Sequence, residues 1–572
     1  MCWRRVVLCA LGACASSRAS TTRGAAPAEC DADATERLDA LDESISVRPL
    51  GSDVLVHVNL TARTDAVDVR AMGHFPRAIA DLALLVGLAE FRLTASSATW
   101  RDAWGPSPEP APPGAQLEAL LRDDVDGAWA LLREALAGLI CPAAARMREL
   151  TNAARTARFA RTAPTSPGLG NFFGPLGSFL GAEPAAAPCA FEFDRALALW
   201  PCAAAAGPSA LLAPASPLRA AASFSRYSSL GLHVSHGCAG GLAPANSPSN
   251  PLTSCRPRLE MRISWVGVVG ESGAGTEPIA EALGVLHGPA RGDEGGPGLR
   301  ACPLARTSVV HVALPEAPLV DLTPPPLAAG TVATEPRAWH PRATWHLDAD
   351  RPLPRISARW RGGVSATAAR DAYVRSATTA SRAPLHAERR LLGAGDVDGA
   401  LVLTLRNAHV APTEVRVFDA LHWPLVPHWH TLRLRVNGTA APPDAHLTEL
   451  VLAPSASRGE PSALGWAATI PPDSEIDISI GYEKSLLHVD EAPADGSRGV
   501  EAGAAAIRYR EAASVERAEP GPWAELWTDA ALMPIGAADP AMPYNVVAIS
   551  STLVALFVSS ILNLLTRPLR RD

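Results

Sequence analysis

Three histidines, His422, His428 and His430, fall close together and are interleaved with Trp423 and Trp429. Imidazole nitrogen is a favoured zinc ligand, and three would leave one open position on a tetrahedral ion. The stretch is Pro-flanked and runs into a strand, and no adjacent carboxylate completes a coordination shell, so no metal is expected. The segment Gly270-Glu271-Ser272-Gly273-Ala274-Gly275-Thr276 follows an extended run, Met261 to Val269, and has the glycine spacing of a phosphate loop. Gly275 is followed directly by Thr276, however, so the lysine that should reach the phosphates is missing. A nucleophile elbow fails as well, because the second position after Ser272 is Ala274 and not glycine. The segment reads as a loop between strands. No Cys–His or Ser–His–Asp set carries a local signature, although such sets need not be local. These residues point to a scaffold without catalytic residues, metal or cofactor.

The cysteines carry more. Ten are present, and Cys2, Cys9 and Cys14 lie in an N-terminal segment with Arg4 and Arg5, a short apolar run and then small residues, the pattern of a cleaved signal peptide assigned to residues 1–20. Cys30, Cys141, Cys189, Cys202, Cys238, Cys255 and Cys302 remain, an odd number, so in an oxidising compartment at least one is free or joined to another chain. Beyond Cys302 there is none, and the rest must fold on packing alone. Asn59-Leu60-Thr61 and Asn437-Gly438-Thr439 are glycosylation sequons.

At the other end Val546 to Leu565 carries no charge and, at 1.5 Å per residue, reaches about 30 Å, the thickness of a bilayer core. Arg567, Arg570 and Arg571 follow, which puts a short tail, 566–572, in the cytosol. Signal and terminal span together describe a single-pass type I protein. Ser551, Ala555, Ser559 and Asn563 recur every four residues and share one helix face, a packing surface for partner helices.

Between the ends, composition excludes two classes. The chain has 572 residues, a net charge of −7 and a mean hydropathy of +0.08. That is too polar for a polytopic transporter and lacks the basic footprint of a nucleic-acid binder. Val54 to Leu60 alternates as a half-buried strand, and Ile79, Leu82 and Val86 after Pro76 have helical spacing. Leu117, Leu120, Leu121, Val125, Trp129, Leu132, Leu136 and Leu139 form the longest helical stripe, while 162–257 is rich in Ala, Pro, Gly and Ser and is expected to be surface loops. From 385 to 525 short alternating strands, such as Ile476, Ile478, Ile480 and Tyr482, suggest an antiparallel sandwich. The fold expected is mainly β with some α: a β-rich domain with helices over 31–380, a β-sandwich domain over 385–525, a stalk over 526–545 and a transmembrane helix over 546–565.

At the stalk the sequence resembles a known family. Met542-Pro543-Tyr544-Asn545, then an apolar span and Asn563-Leu564-Leu565-Thr566-Arg567, is similar to the PIG-T subunits of the GPI transamidase. His74-Phe75-Pro76-Arg77-Ala78, Trp100 with Trp104-Gly105-Pro106, the Cys189/Cys202 spacing and Cys302-Pro303-Leu304-Ala305 agree in order. So do Asp419 to Leu432, Pro471-Pro472-Asp473-Ser474 and Tyr482-Glu483-Lys484-Ser485-Leu486-Leu487. The resemblance implies a non-catalytic subunit in the endoplasmic reticulum membrane, with the bulk of the chain lumenal. Its complex attaches GPI anchors to precursor proteins, and the cysteine nucleophile lies in a separate caspase-like subunit. It implies an intersubunit disulfide from Cys189 to that subunit, leaving six cysteines for internal bridges in fifteen pairings. It also implies GPI-lipid contact by Asp539 and Asn545, and by Ser497, where the family has asparagine. A type I cell-surface receptor or adhesion ectodomain is the alternative that the same architecture allows.

Overall fold

The computed structural model describes residues 39–50, 53–65, 72–122 (except 102, 103 and 106), 127–149 (except 141, 143, 145 and 146), 176–183, 190–239 (except 203–205, 214, 215, 217 and 220–224), 256–269, 286, 299–313, 320–330, 342–360, 385–393, 397–534 (except 456, 457, 459, 460, 489, 490, 492–498, 514–519 and 522) and 541–567. Strands dominate. In the first half they are β1 (Asp39–Leu50), β2 (Asp53–Thr64), β3 (Leu88–Ser96), β4 (Gly114–Arg122), β5 (Arg148–Glu149), β6 (Leu176–Glu183), β7 (Tyr227–Ala239), β8 (Arg256–Val269), β9 (Thr307–Ala313), β10 (Val320–Thr323), β11 (Ala328–Gly330), β12 (Arg342–His346) and β13 (Ser357–Trp360). The second half has β14 (Leu385–Leu392), β15 (Asp398–Asn407), β16 (Thr413–Leu421), β17 (Leu425–Val436), β18 (Thr439–Ala441), β19 (Leu447–Ala453), β20 (Ser462–Ile470), β21 (Ser474–Lys484), β22 (Val500–Ala502), β23 (Ala506–Glu511), β24 (Ala524–Trp527) and β25 (Ala531–Met533). The helices are α1 (Arg77–Leu85), α2 (Ala128–Leu139), α3 (Ala190–Leu197), α4 (Gly207–Ala210), α5 (Pro443–His446) and α6 (Ala541–Thr566).

Eleven of the first strands form one sheet in the order β11-β12-β9-β1-β2-β8-β7-β3-β4-β6-β5. Its pairs are antiparallel except β1 with β9, which run parallel from Asp42↔Thr307 to Val47↔Val312. Alternation explains its two faces, since successive side chains in a strand point opposite ways. Val54, Val56, Val58 and Leu60 of β2 and Met261, Ile263 and Trp265 of β8 belong to one large core. Ile79 and Leu82 of α1, Leu132 and Leu136 of α2, and Trp200 join it. Leu55, Val266 and Val268, on the opposite phase, form a second small core with Trp104 and Tyr227.

Two expectations change here. Leu117, Leu120 and Leu121 do not begin a helix: β4 occupies 114–122 between β3 and β6, helix covers 128–139, and Val125 lies outside the described residues. Ala115, Leu117, Ala119 and Leu121 also satisfy a period of two, and pairing on both sides overrides the helix preference of Ala and Leu. Nor is 162–257 all surface loop, because β7 lies inside the sheet, paired with β8 from Tyr227↔Val268 to Ala239↔Arg256 and with β3 on its other edge. Serines and glycines hid an alternation of Leu230, Leu232 and Val234.

The later strands form two five-stranded sheets, β14-β15-β21-β17-β18 and β19-β20-β16-β23-β24. Leu403, Leu405, Leu434, Ile476 and Ile478 from the first sheet meet Val415, Val417, Trp466, Ile470 and Ile507 from the second in one core, so the two face each other as a sandwich. β21 alternates along its length between buried positions and half-exposed ones, with Glu483 exposed near its end. Strands β22 and β25 pair separately and close a smaller core that includes Leu401, Leu425, Tyr482 and Met533.

Candidate functional site

The strongest functional feature is α6. Its segment Tyr544–Thr566, 23 residues whose most apolar 18-residue stretch has mean hydropathy 2.0, is long and apolar enough to cross a membrane. In lipid every backbone group must be paired internally, which a helix achieves by itself. Its hydroxyls follow the same rule: Ser551 donates to the carbonyl of Ala548 at 2.9 Å, Thr552 to Ala548 at 2.7 Å, Ser560 to Leu556 at 2.8 Å and Thr566 to Leu562 at 2.7 Å. Ser551, Ala555, Ser559 and Asn563 are all exposed, as is the whole helix from Tyr544 onward.

Asn545 lies in the helix and not at its N-cap, because α6 begins at Ala541. Pro543 is tolerated there, since the first-turn N–H groups have no helical partners to lose. Helix capping therefore does not account for Asn545, whose exposed amide stands at the polar border of the apolar run. Asp539, Ser497 and Cys189 lie outside the described residues, as do Cys30, Cys141 and Cys255 and the loop Gly270 to Thr276.

Among the described residues one disulfide is present, Cys202–Cys302, with Cα atoms 5.8 Å apart and a separation of 100 residues. It is built into a carboxylate-centred corner. Glu43 of β1 accepts from the backbone N–H of Cys302 at 2.8 Å and from the Ser308 hydroxyl at 2.6 Å. Gly207, at φ +75°, passes so close that a Cβ there would collide with the Glu43 carboxylate. Burial raises the Glu43 pKa above the ordinary 4.5, although the two donors pull it back. Glu43 shares its strand phase with Leu41, Ile45 and Val47, so a carboxylate on the apolar side of a strand was the sequence signal for this corner.

Several motifs of the resemblance turn out to be structural joints. Asp39 Oδ2 accepts from three successive backbone N–H groups, Gly73 at 2.7 Å, His74 at 2.6 Å and Phe75 at 3.1 Å, and so fixes the segment that enters α1. Burial pushes its pKa up, but hydrogen bonds from Thr64, His74, Phe75 and Gly73 outweigh that and leave it below 3.8. Trp100, Trp104 and Tyr227 meet edge to face, with centroids 5.1 to 6.1 Å apart. The Trp100 indole N–H donates to the carbonyl of Gly105 at 2.6 Å, and Gly105 takes φ 77°.

In the sandwich, Asp419 accepts a two-pronged bond from Arg389, at 2.8 and 3.1 Å, with side chains 1% and 0% exposed. Arg389 is on β14 and Asp419 on β16, so the pair joins the two sheets. Arg458 lies over the Trp423 ring at 4.8 Å and binds Glu491. Lys484 is 8% exposed, and its Nζ donates to the carbonyl of Pro534 at 3.0 Å, at the root of the segment that leads to α6.

The two sequon asparagines differ. Asn59 sits in a central strand between Ser44 and Ser264, with Oδ1 buried. Asn437 is exposed in a tight turn at φ 49°, and its Oδ1 accepts from the N–H of Glu475 at 2.8 Å. His422, His428 and His430 do not converge on one point: the rings of His428 and His430 are tilted at 49° with centroids 5.9 Å apart, and His422 lies against Trp423 at 6.3 Å.

Fold and site together define a β-rich protein with, among the described residues, one membrane-type helix near its C-terminal end. A family model described as "Gpi16 subunit, GPI transamidase component" matches residues 29–251 and 299–571, and the chain belongs to that family. It is 26% identical to the mouse "GPI-anchor transamidase component PIGT" over 92% of this chain and 90% of that one. The human protein of the same description is 25% identical over the same shares. The fission-yeast "GPI transamidase component PIG-T homolog" is 31% identical over 32% of each chain.

Proposed function

We propose that this chain is a non-catalytic subunit of a GPI transamidase, anchored in the endoplasmic reticulum membrane by α6 with its β-rich body in the lumen. It stabilises the complex and helps position the GPI lipid during attachment to precursor proteins. The catalytic nucleophile then belongs to a caspase-like partner, linked through Cys189. With Cys202 and Cys302 paired to each other, Cys30, Cys141, Cys189, Cys238 and Cys255 form an odd set, which supports one bond to another chain. We further propose that residues 31–380 and 385–525 act as two lumenal domains, that the face of Ser551, Ala555, Ser559 and Asn563 packs on partner helices, and that Asn437 is better placed than Asn59 to carry a glycan.

The observation that carries the lipid role is Asn545. It is exposed at the polar start of the span and is not consumed as a cap, so its amide can both donate to and accept from the ammonium, phosphate and hydroxyl groups of a glycolipid head. Asp539 adds a carboxylate six residues earlier in the chain, and Ser497 is a weaker third candidate. The test combines two variants. Asn545→Ala is expected to assemble normally but to lower surface display of GPI-anchored proteins severalfold, and full display would remove the lipid-contact role. Cys189→Ser is expected to abolish one high-mass adduct on a non-reducing gel, and an unchanged adduct would remove the covalent link.

A further inference from the structure

The histidine cluster lacks a neighbouring carboxylate in sequence, but the sheet supplies two. β21 lies between β15 and β17, with Asp398↔Glu483 directly paired on one side and His428↔Gly481 on the other. Ile476, Ile478, Ile480 and Tyr482 of β21 face the cores, so Glu483, one position out of phase with them, stands on the outer face. Asp398 and His428 share that face. One ligand atom from each of Asp398, His428 and Glu483 lies within 4.8 Å of the other two. Gly481, opposite His428, adds no side chain, and a Cβ there would crowd the Thr431 hydroxyl at 3.0 Å. His428 is diagonal to Glu483, within the reach of a long side chain across two strands.

We propose that Asp398, His428 and Glu483 form a site for a borderline divalent cation, with Zn²⁺ its best match. Two like charges placed directly opposite on neighbouring strands repel. Among the described residues neither carboxylate has an arginine or lysine partner to offset that repulsion. Lys484, next in sequence, is turned inward to Pro534. A divalent ion converts the repulsion into coordination. The imidazole selects against Ca²⁺ and Mg²⁺, which take oxygen ligands, and two carboxylates with one imidazole suit Zn²⁺ or Mn²⁺. Three protein ligands leave a position for water or for a group from a partner. Bound there, the ion ties three strands together at the corner where Lys484 holds the root of the segment leading to α6.

The site does not depend on the transamidase reading and can be tested on the full chain purified in detergent. After chelator treatment, titration with Zn²⁺ by calorimetry is expected to show one site. Loss of a group that merely supports a metal ligand costs about 10–100-fold in affinity, so Asp398→Asn, Glu483→Gln and His428→Ala should each weaken binding at least about tenfold. His430→Ala should not, and millimolar Ca²⁺ should not displace the Zn²⁺. Thermal melts supply a second reading: without metal Glu483→Gln should melt no lower than wild type, because it relieves repulsion, and Zn²⁺ should raise wild type and His430→Ala but not Glu483→Gln. Absence of a stoichiometric site, equal binding by Glu483→Gln and wild type, or free exchange with Ca²⁺ would each overturn the proposal.

Discussion

The two halves of the body solve the same problem, holding many strands together, by different means. The eleven-stranded sheet buries one broad face under helices and relies on covalent and carboxylate joints: the Cys202–Cys302 bridge, Glu43 against it, and Asp39 gripping the approach to α1. The sandwich has no cysteine; two sheets enclose an apolar core crossed, among the described residues, by the buried ion pair Arg389–Asp419. The Cys202–Cys302 bridge spans 100 residues that include β7 and β8 of the sheet itself, so one covalent bond constrains a long part of the chain. A sandwich of short, directly paired strands restrains itself, and one ion pair between its layers sets their alignment. The halves also touch: Arg92 of β3 pairs with Glu109 and comes within 3.9 Å of Glu525 of β24.

If that contrast holds, the largest loss comes from the covalent joint. Closing a loop of 100 residues is worth about 4.7 kcal/mol in the chain-entropy account, so the Cys202→Ala, Cys302→Ala double variant should lose about that much. Limited proteolysis should show the loss in the first half, with the sandwich fragments unchanged. The next effect belongs to the sandwich. Asp419→Ala leaves the Arg389 charge buried without its partner and should cost about 3–5 kcal/mol, whereas Arg389→Met with Asp419→Leu should cost far less or nothing. Denaturant melts of both would break the comparison if the single and double variants behaved alike.

The smallest effect separates two carboxylates on one strand, Asp39 and Glu43. The folded pKa of Asp39 is lowered, so its contribution is present above 3.8 and fades as pH falls below that value. The folded pKa of Glu43 is raised, so its share is fully present below 4.5 and fades as pH rises through the folded value. At neutral pH Asp39→Asn should therefore melt below wild type and Glu43→Gln at or above it. Melting curves from pH 3 to 7 should show the Asp39 difference shrinking toward the acid end, and the Glu43 difference shrinking there too, from the opposite sign.

Much of this was legible where one face of a strand is buried and the other is not. The alternations around Val56, Leu403 and Ile478 could satisfy only one period, and those strands stand where the pattern put them. Leu117 to Leu121 could satisfy two, and the choice was made by β3 and β6, which are distant in sequence. Tyr227 to Ala239 was hidden because an interior strand flanked by close neighbours can carry serine and glycine. In the candidate site, the apolar span and the position of Asn545 were readable from a local run of residues. The joint between Asp39 and Phe75, the pair of Arg389 and Asp419 and the meeting of Asp398 with His428 and Glu483 were not. Each is made by strand order and register, which no local pattern encodes.

Lys484 is the only lysine among 51 basic residues, and it is buried against Pro534. An endoprotease that cuts solely after lysine thus has a single target in the entire polypeptide, shielded until the end of β21, the central strand of its sheet, comes loose. Cleavage after Lys484 would act as a clock for that opening, reporting in one band how often the contact between Lys484 and Pro534 is undone.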